Sequence, residues 1–202
     1  MTRFAMAELG RLRWHVLAAF VALGLLVGLA CESKGTTATQ GTAEGPVLDT
    51  EILAFLSLAR AGHHQADILE GTGDVDGALA SLERIVHAPR PHPGQTIPEV
   101  EETLADAYAR MADLRLTKGD VAGAKKDVDD GLTHAAEPTY FRGHLFTMYG
   151  IVEQRRAADA ADAGHDAEAA EARSHAVTLL REAMDIQERV IGKVLGDAGA
   201  DR

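Results

Sequence analysis

The chain is short of cysteine and of aromatic residues, and both shortages limit what it can be. Cys31 is the only cysteine, so a disulfide within the chain and a metal site built from several cysteines are excluded. Aromatic residues make up 4% of the 202 residues, and the 46% apolar content is rich in alanine. Alternating β-branched strand patterns are absent. This composition predicts an all-α fold with closely packed helices.

Sequence motifs of common enzyme classes are also missing. The chain has no glycine-rich phosphate loop, no Gly-x-Ser-x-Gly motif and no Cys–His pair. Its carboxylates are spread along helical segments at the spacing of a solvated surface. His63 and Asp67 share a helix face and could offer two metal ligands, but no third ligand is identifiable. We therefore predict no catalytic residues, no cofactor and no metal, with zinc at His63 and Asp67 as the weaker alternative.

Positive charge is scarce. The chain has 20 Lys and Arg residues against 31 Asp and Glu residues, and its formal net charge is −11. Without residues 1–30 it would keep 17 basic and 30 acidic residues, a net charge of −13. A surface this acidic disfavours nucleic acid and anionic lipid as the main partner.

The one long apolar run lies near the N-terminus. Residues 16–30 are uninterrupted apolar sequence and follow a segment with three arginines. This run is shorter than the ~20 residues of a membrane-spanning helix, but it suits the apolar core of an export signal. Gly28-Leu29-Ala30-Cys31 ends the run and resembles the lipobox of bacterial lipoproteins, with Gly28 where that family usually has leucine.

The lipoprotein resemblance implies a location and a domain order. It implies that residues 1–30 are a signal peptide, that Cys31 is acylated, and that the protein is anchored in the outer membrane facing the periplasm. The alternative is a signal anchor that ends at an unmodified cysteine. Residues 31–48 have little to bury and are expected to be a flexible tether. A helical domain over residues 49–202 follows.

Three turn signals divide that domain. They are Gly73-Asp74-Val75, Gly119-Asp120-Val121 and Gly164-His165-Asp166. Their glycines are 46 and 45 residues apart, and an alanine stands five residues after each. Such a fixed period is typical of a helical repeat array. Apolar periodicity predicts helices over residues 50–70, 74–87, 97–118, 120–136, 139–163 and 165–196.

The ends of the central pair of helices can be predicted from capping residues. Thr96 and Glu99 have the spacing of a capping box, and Pro98 suits the first turn of a helix. Gly119 suits the left-handed residue that ends a helix, and Asp120 can cap the next one. A turn this short predicts two antiparallel helices.

The turns carry a family resemblance. Residues 73–82 (GDVDGALASL) and 119–128 (GDVAGAKKDV) resemble the tetratricopeptide repeat (TPR) family in the turn, in the small residue opening the second helix and in the apolar residue four places later. Ala112 matches a small residue of the first helix. The resemblance implies about three antiparallel hairpins stacked as a short solenoid with a long C-terminal helix. The period exceeds the family's 34 residues, and Arg173 replaces an expected apolar residue. A bundle without true repetition is the alternative.

The resemblance also implies a binding surface, because repeat arrays expose a concave face formed by the first helix of each pair. The residues it places on this face are Arg60, His63, Asp67, Asp106, Asp113 and Gln154. Tyr140 and Tyr149 come from a cluster of four aromatics within ten residues. They could anchor a partner, or they could simply fill the core. The set is more acidic than basic and would suit a polar or cationic peptide.

These observations predict a lipid-anchored adaptor that holds another protein at the cell envelope. It would bind through the concave face or through the last helix, whose apolar stripe from Ala172 to Val194 could also pair with a second subunit. The alternative is a periplasmic small-ligand carrier or an accessory lipoprotein of a transport system, which would need an apolar tunnel between the helices. The proline-rich loop over residues 88–94, flanked by His87 and His92, is predicted to be exposed.

Overall fold

The computed structural model describes residues 49–200, with side chains described up to residue 196. It contains six helices in this range and no strand, which confirms the all-α class. The helices are α1 (Thr50–Gly71), α2 (Val75–Val86), α3 (Pro98–Thr117), α4 (Val121–His134), α5 (Tyr140–Asp162) and α6 (Asp166–Ala200). All predicted boundaries lie within two residues of these, except the end of α6. The predicted signal peptide, tether and acylated Cys31 lie outside the described residues.

The turns between α1 and α2, α3 and α4, and α5 and α6 share one backbone conformation. Gly73, Gly119 and Gly164 have φ values of +84, +78 and +77°, the left-handed region that favours glycine. The side chains of Asp74 and Asp120 then accept a hydrogen bond from the amide three residues later, at 2.9 Å in both turns. The predicted cap at Asp120 is therefore confirmed, and Asp74 caps α2 in the same way.

The predicted capping box at the start of α3 is wrong. The residue that precedes this helix is Ile97, and no side chain makes a capping hydrogen bond there. Ile97 is buried in the apolar core, while Thr96 is exposed. Burial of the isoleucine fixes the entry of the chain and leaves Thr96 outside the helix terminus. Pro98 occupies the first helical position, as expected.

The helices pack in chain order. Each contacts its neighbour in sequence, and α3 also contacts α1 and α5. One apolar cluster lies between α1, α2 and α3, and a second lies between α3, α4 and α5. Helix α3 separates the two clusters: Leu104 and Leu114 belong to the first, whereas Ala105 and Ala112 belong to the second. Helix α6 contacts α5 alone among the described helices.

Close helix approaches depend on glycine at two positions. A Cβ placed on Gly131 of α4 would lie 2.7 Å from Cδ2 of Leu145 and 2.9 Å from Cβ of Tyr108. A Cβ on Gly150 of α5 would lie 2.6 Å from Cγ of Leu180 in α6. These distances are shorter than non-bonded carbons tolerate, so a larger side chain would push the helices apart.

Two carboxylates are buried in the fold, and each is paired with an arginine. Glu153 of α5 accepts hydrogen bonds from Arg156, and Asp127 of α4 accepts one from Nε of Arg115 at 2.6 Å. Burial raises the pKa of Asp127, and the Arg115 guanidinium opposes that shift. Removal of either arginine would leave a charge without a partner in a poorly solvated position.

The proline-rich loop is held against the start of α1. Pro91 is buried, and His92, with φ of +46°, places its Nε2 atom 2.5 Å from Oδ2 of Asp49, the N-cap residue of α1. His92 was predicted to be exposed, but its side chain is 33% exposed and therefore partly buried. The hydrogen bond with Asp49 raises the pKa of His92.

Helix α6 is buried over only part of its predicted stripe. Five apolar residues of the stripe are buried: Ala172, Ala176, Leu179, Ala183 and Ile186. Val194, at the end of the same stripe, is 63% exposed, so only the first part of the predicted stripe is covered. The reason is that α6 is longer than α5. Gln187 already lies beside Tyr140, the first residue of α5, so the residues of α6 that follow Gln187 extend past this end of α5. The described part of the chain contains no helix long and apolar enough to cross a membrane.

Candidate binding surface on α1, α3 and α5

The first helix of each pair contributes polar side chains to one connected surface, which we call the α1/α3/α5 face. It is defined by His63, Asp67 and Glu70 of α1, Asp106, Arg110 and Asp113 of α3, and His144 of α5. The connections are ion pairs and near contacts between helices that lie far apart in the sequence.

Asp106 lies between two histidines from the neighbouring helices. Its Oδ2 atom is 3.8 Å from Nε2 of His63, and its Oδ1 atom is 4.0 Å from Nδ1 of His144. These distances are too long for hydrogen bonds, although they would give an attractive charge pair with a protonated ring. Nδ1 of His144 is buried and has no hydrogen-bond partner within residues 49–200. Because neither histidine donates a hydrogen bond to it, the Asp106 carboxylate can still accept hydrogen bonds from a bound partner.

Arg110, one turn further along α3, gathers three carboxylates. Its guanidinium lies 3.3 Å from Asp67 and 3.4 Å from Asp113, and it also contacts Glu70. The arginine itself is about one third exposed, whereas Asp67 and Asp113 are at least half exposed. One guanidinium cannot neutralise three carboxylates, so this part of the surface stays negative.

The whole face carries an excess of negative charge. The face contains four carboxylates (Asp67, Glu70, Asp106 and Asp113) and one guanidinium, which leaves three negative charges when both histidines are neutral. The charges come from two helices that pack side by side, so they form one patch. Such a patch attracts a cationic segment and repels an anionic one.

The other predicted surface residues have different surroundings. Tyr140 is exposed at the start of α5, with its ring 6.0 Å from that of His144, and it borders the face. Arg60 and Gln154 are exposed and join no ion pair within residues 49–200. Tyr149 points elsewhere: Lys125 of α4 lies 5.1 Å above its ring, and His175 of α6 packs edge-on at 5.7 Å. Tyr149 therefore lies between α4 and α6, away from Asp106.

Three members of the face were missed by the sequence analysis, namely Glu70, Arg110 and His144. Helical spacing contains the signal for each of them. Arg110 is four residues after Asp106, Glu70 is three after Asp67, and His144 is four after Tyr140, so each shares a helix side with a residue that was predicted.

A metal site has little support in the described residues. Within residues 49–200, no group of three histidine, cysteine, aspartate or glutamate side chains is arranged to hold a metal ion. His63 and Asp67, the pair considered above, contact different partners: His63 lies against Asp106, and Asp67 lies against Arg110.

A separate cleft opens between α4, α5 and the start of α6. It has a volume of about 450 Å³, and its apolar wall includes Val121 and Ala160. Lys125 and Arg156 lie at its edge together with the carboxylates Asp159 and Glu168. This cleft is wide open to solvent and lies on other elements than the α1/α3/α5 face.

Comparison with known proteins adds no relative: no family model, curated protein or solved structure matches this chain.

Proposed function

We propose that the six helices form three antiparallel hairpins stacked as a short TPR-like solenoid with a long last helix. Support comes from contacts that lie 11 or 12 residues on either side of each turn glycine, as antiparallel helices require. These contacts are Gly62 with Ile85, Tyr108 with Gly131, and Glu153 with His175. Helix α2 also contacts α3, and α4 contacts α5, so successive pairs add to the stack in chain order.

We propose that the protein is a lipid-anchored adaptor of the bacterial cell envelope and binds a partner protein through the α1/α3/α5 face. The observation that carries this proposal is the cluster of three carboxylates around Arg110, contributed by α1 and α3, with Asp106 one turn away on α3. A lysine- or arginine-rich segment of the partner would meet Asp67, Asp106 and Asp113 together. The anchor would come from acylated Cys31, and residues 31–48 would hold the domain clear of the membrane surface.

The proposal is tested with basic peptides and neutralised carboxylates. Binding of a library of fluorescent lysine- and arginine-rich peptides to the full chain is measured by anisotropy, for the wild type and for the triple variant Asp67→Asn, Asp106→Asn, Asp113→Asn. Each exposed ion pair contributes ~0.2–1 kcal/mol, so the triple variant should bind roughly tenfold more weakly. Added salt should weaken wild-type binding, since screening acts on exposed charges.

The matched control removes three exposed carboxylates elsewhere, with Glu137→Gln, Asp162→Asn and Glu171→Gln. It changes the net charge by the same amount and should leave binding close to that of the wild type. Equal loss in both variants would mean that only the overall charge attracts the peptide. No loss in the first variant would remove the α1/α3/α5 face as the site.

A periplasmic small-ligand carrier is the second candidate, and the cleft between α4, α5 and α6 favours it. Its apolar wall would suit a small apolar ligand. A panel of small apolar compounds should then raise the thermal unfolding midpoint of the wild type, but not of Val121→Asp, which places a charge in that wall. A panel that shifts neither protein would dismiss the carrier.

A further inference from the structure

We infer that two copies of this chain associate through α6, each laying an exposed apolar stripe antiparallel against the same stripe of the other. The α6 stripe consists of Val177, Leu180, Met184, Ile191 and Val194. Four of these side chains are more than half exposed, and Leu180 is partly buried. The inference concerns a different surface from the α1/α3/α5 face and does not depend on it.

The residues of α2 and α4 that correspond to Val177 of the α6 stripe are covered by neighbouring helices. Val86, Leu132 and Val177 each lie 13 residues after a turn glycine. Val86 is 8% exposed within the cluster shared by α1, α2 and α3, and Leu132 packs against the cluster that includes α5. Val177 is 51% exposed. The next helix in the chain covers this position on α2 and α4, whereas α6 contacts α5 alone among the described helices.

The stripe has the length and period of a helix-pairing surface. Val177, Met184 and Ile191 recur every seven residues, and Leu180 and Val194 follow two of them by three. The stripe spans about 26 Å at 1.5 Å per residue. Its last part extends past the start of α5, because Gln187 Nε2 already donates to the backbone oxygen of Tyr140 at 3.1 Å.

The charged residues beside the α6 stripe can form opposite-charge pairs between two copies in one orientation only, the antiparallel one. Arg181 and Glu188 are seven residues apart, so they lie on the same side of the stripe. Neither joins an ion pair within residues 49–200, and both are exposed. In an antiparallel pair, Arg181 of each copy lies beside Glu188 of the other, and the contact occurs twice across the two-fold axis. In a parallel pair, Arg181 and Glu188 of the two copies would lie on opposite sides of the paired stripes and would not meet.

The same two-fold arrangement brings the apolar residues into register. With the axis near residues 185 and 186, Val177 of one copy faces Val194 of the other, and Leu180 faces Ile191. Met184 lies close to the axis in both copies. The arrangement closes after two copies because the same surface is used twice. This agreement between charge and apolar register is what points to a second copy of the chain as the occupant.

Cysteine cross-linking tests both the partner and its direction. The full chain is used with Cys31→Ser, which removes its only natural thiol. It is kept in detergent micelles so that the apolar residues 16–30 of different molecules do not associate with one another. Single cysteines are then introduced as Val177→Cys, Met184→Cys and Val194→Cys and treated with a short bismaleimide. We expect Met184→Cys to cross-link with itself. A mixture of Val177→Cys and Val194→Cys should give at least tenfold more dimer than Val177→Cys alone.

The control is Glu182→Cys, an exposed position on the side of α6 away from the stripe. A self-cross-link of Val177→Cys as strong as that of the mixture would overturn the antiparallel direction. Yields no higher than with Glu182→Cys at every position would overturn the association itself. Circular dichroism of each variant verifies that the helices are intact.

Charge reversal gives a second, independent measurement. Arg181→Glu should weaken the dimer roughly tenfold in dilution experiments, because it replaces two attractive contacts by two repulsive ones. Adding Glu188→Arg to the same chain should restore the original dissociation constant. A double variant as weak as the single one would contradict the pairing of these two residues.

Discussion

Arg156 donates hydrogen bonds from Nη1 to both carboxylate oxygens of Glu153, at 2.9 and 2.8 Å, and that carboxylate is 1% exposed. The two residues are one turn apart on α5, so the contact forms as soon as the helix does. His175 of α6 approaches the same carboxylate, with its Nδ1 atom 3.5 Å away. The α5–α6 contact therefore includes the buried negative charge of Glu153, which is paired with one partly exposed arginine, Arg156.

Arg156→Met should destabilise the protein by about 3–5 kcal/mol, because it leaves the Glu153 carboxylate buried without its partner. Arg155→Met is the matched control. Arg155 pairs with Asp159 on the exposed side of the same helix, and loss of that pair should cost less than about 1 kcal/mol. Urea unfolding followed by circular dichroism gives both free energies. Equal effects would show that Glu153 does not need Arg156.

The contact between His92 and Asp49 should make stability depend on pH. The hydrogen bond to Asp49 raises the pKa of His92 above 6.5, so its contribution is complete below that value and is lost as the pH rises through the raised pKa. The backbone amide of Ile52, and then His92, lower the pKa of Asp49 below 3.8, so its contribution is lost as the pH falls through the lowered pKa. The contact therefore stabilises the fold most between the two ordinary values.

His92→Gln is the variant that isolates this effect. The thermal unfolding midpoints of the wild type and the variant should differ most between pH 4 and 6.5, and the difference should shrink on either side. His87→Gln, which alters a neighbouring exposed histidine, controls for the general effect of losing an imidazole. A difference that stays constant with pH would exclude the His92–Asp49 pair as its source.

Gly131→Val should cost about 1–3 kcal/mol, because the new side chain collides with Leu145 and with the Cβ atom of Tyr108. A collision with a Cβ atom can be relieved only by moving a helix. Gly192→Ala is the control: no atom lies within 4 Å of its Cβ position, and the substitution should be neutral or slightly stabilising. Chemical denaturation measures both changes. A neutral Gly131→Val would mean that α4 and α5 are further apart than described.

Cys31→Ser tests the proposed anchor. If the cysteine is acylated, the variant should leave the membrane fraction, since each buried methylene group of an acyl chain contributes ~0.8 kcal/mol to membrane binding. Cell fractionation and metabolic labelling with a fatty acid measure retention and acylation separately. Unchanged retention without label would support the signal-anchor alternative.

The helix boundaries could be predicted because the chain repeats the same local signal. Glycine followed by aspartate determines the end of one helix and the start of the next, and neither depends on distant residues. The start of α3 shows the limit of this approach. Thr96 and Glu99 have the spacing of a capping box, yet burial of Ile97 outweighs the hydrogen bond that Thr96 would contribute.

The candidate surface could be predicted only one helix at a time. The resemblance to TPR repeats implied that Asp106 and Asp113 share one side of α3, but it does not tell which side chains of α1 and α5 lie opposite. The position of His144 beside Asp106 depends on the offset between α3 and α5, which the close contacts of Gly131 and Leu145 help to determine. The surroundings of Tyr149 could not be predicted for the same reason, since its neighbours Lys125 and His175 belong to other helices.

The order of packing also has a consequence for how the molecule opens. Among the described helices α6 contacts α5 alone, so its separation from them would break one helix–helix contact and leave both apolar clusters intact. Separation of α3 would break its contacts with α1, α2, α4 and α5 at once. Amide protons of α6 should therefore exchange with solvent deuterium through a partial unfolding of lower free energy. Those of α3 should exchange only through global unfolding.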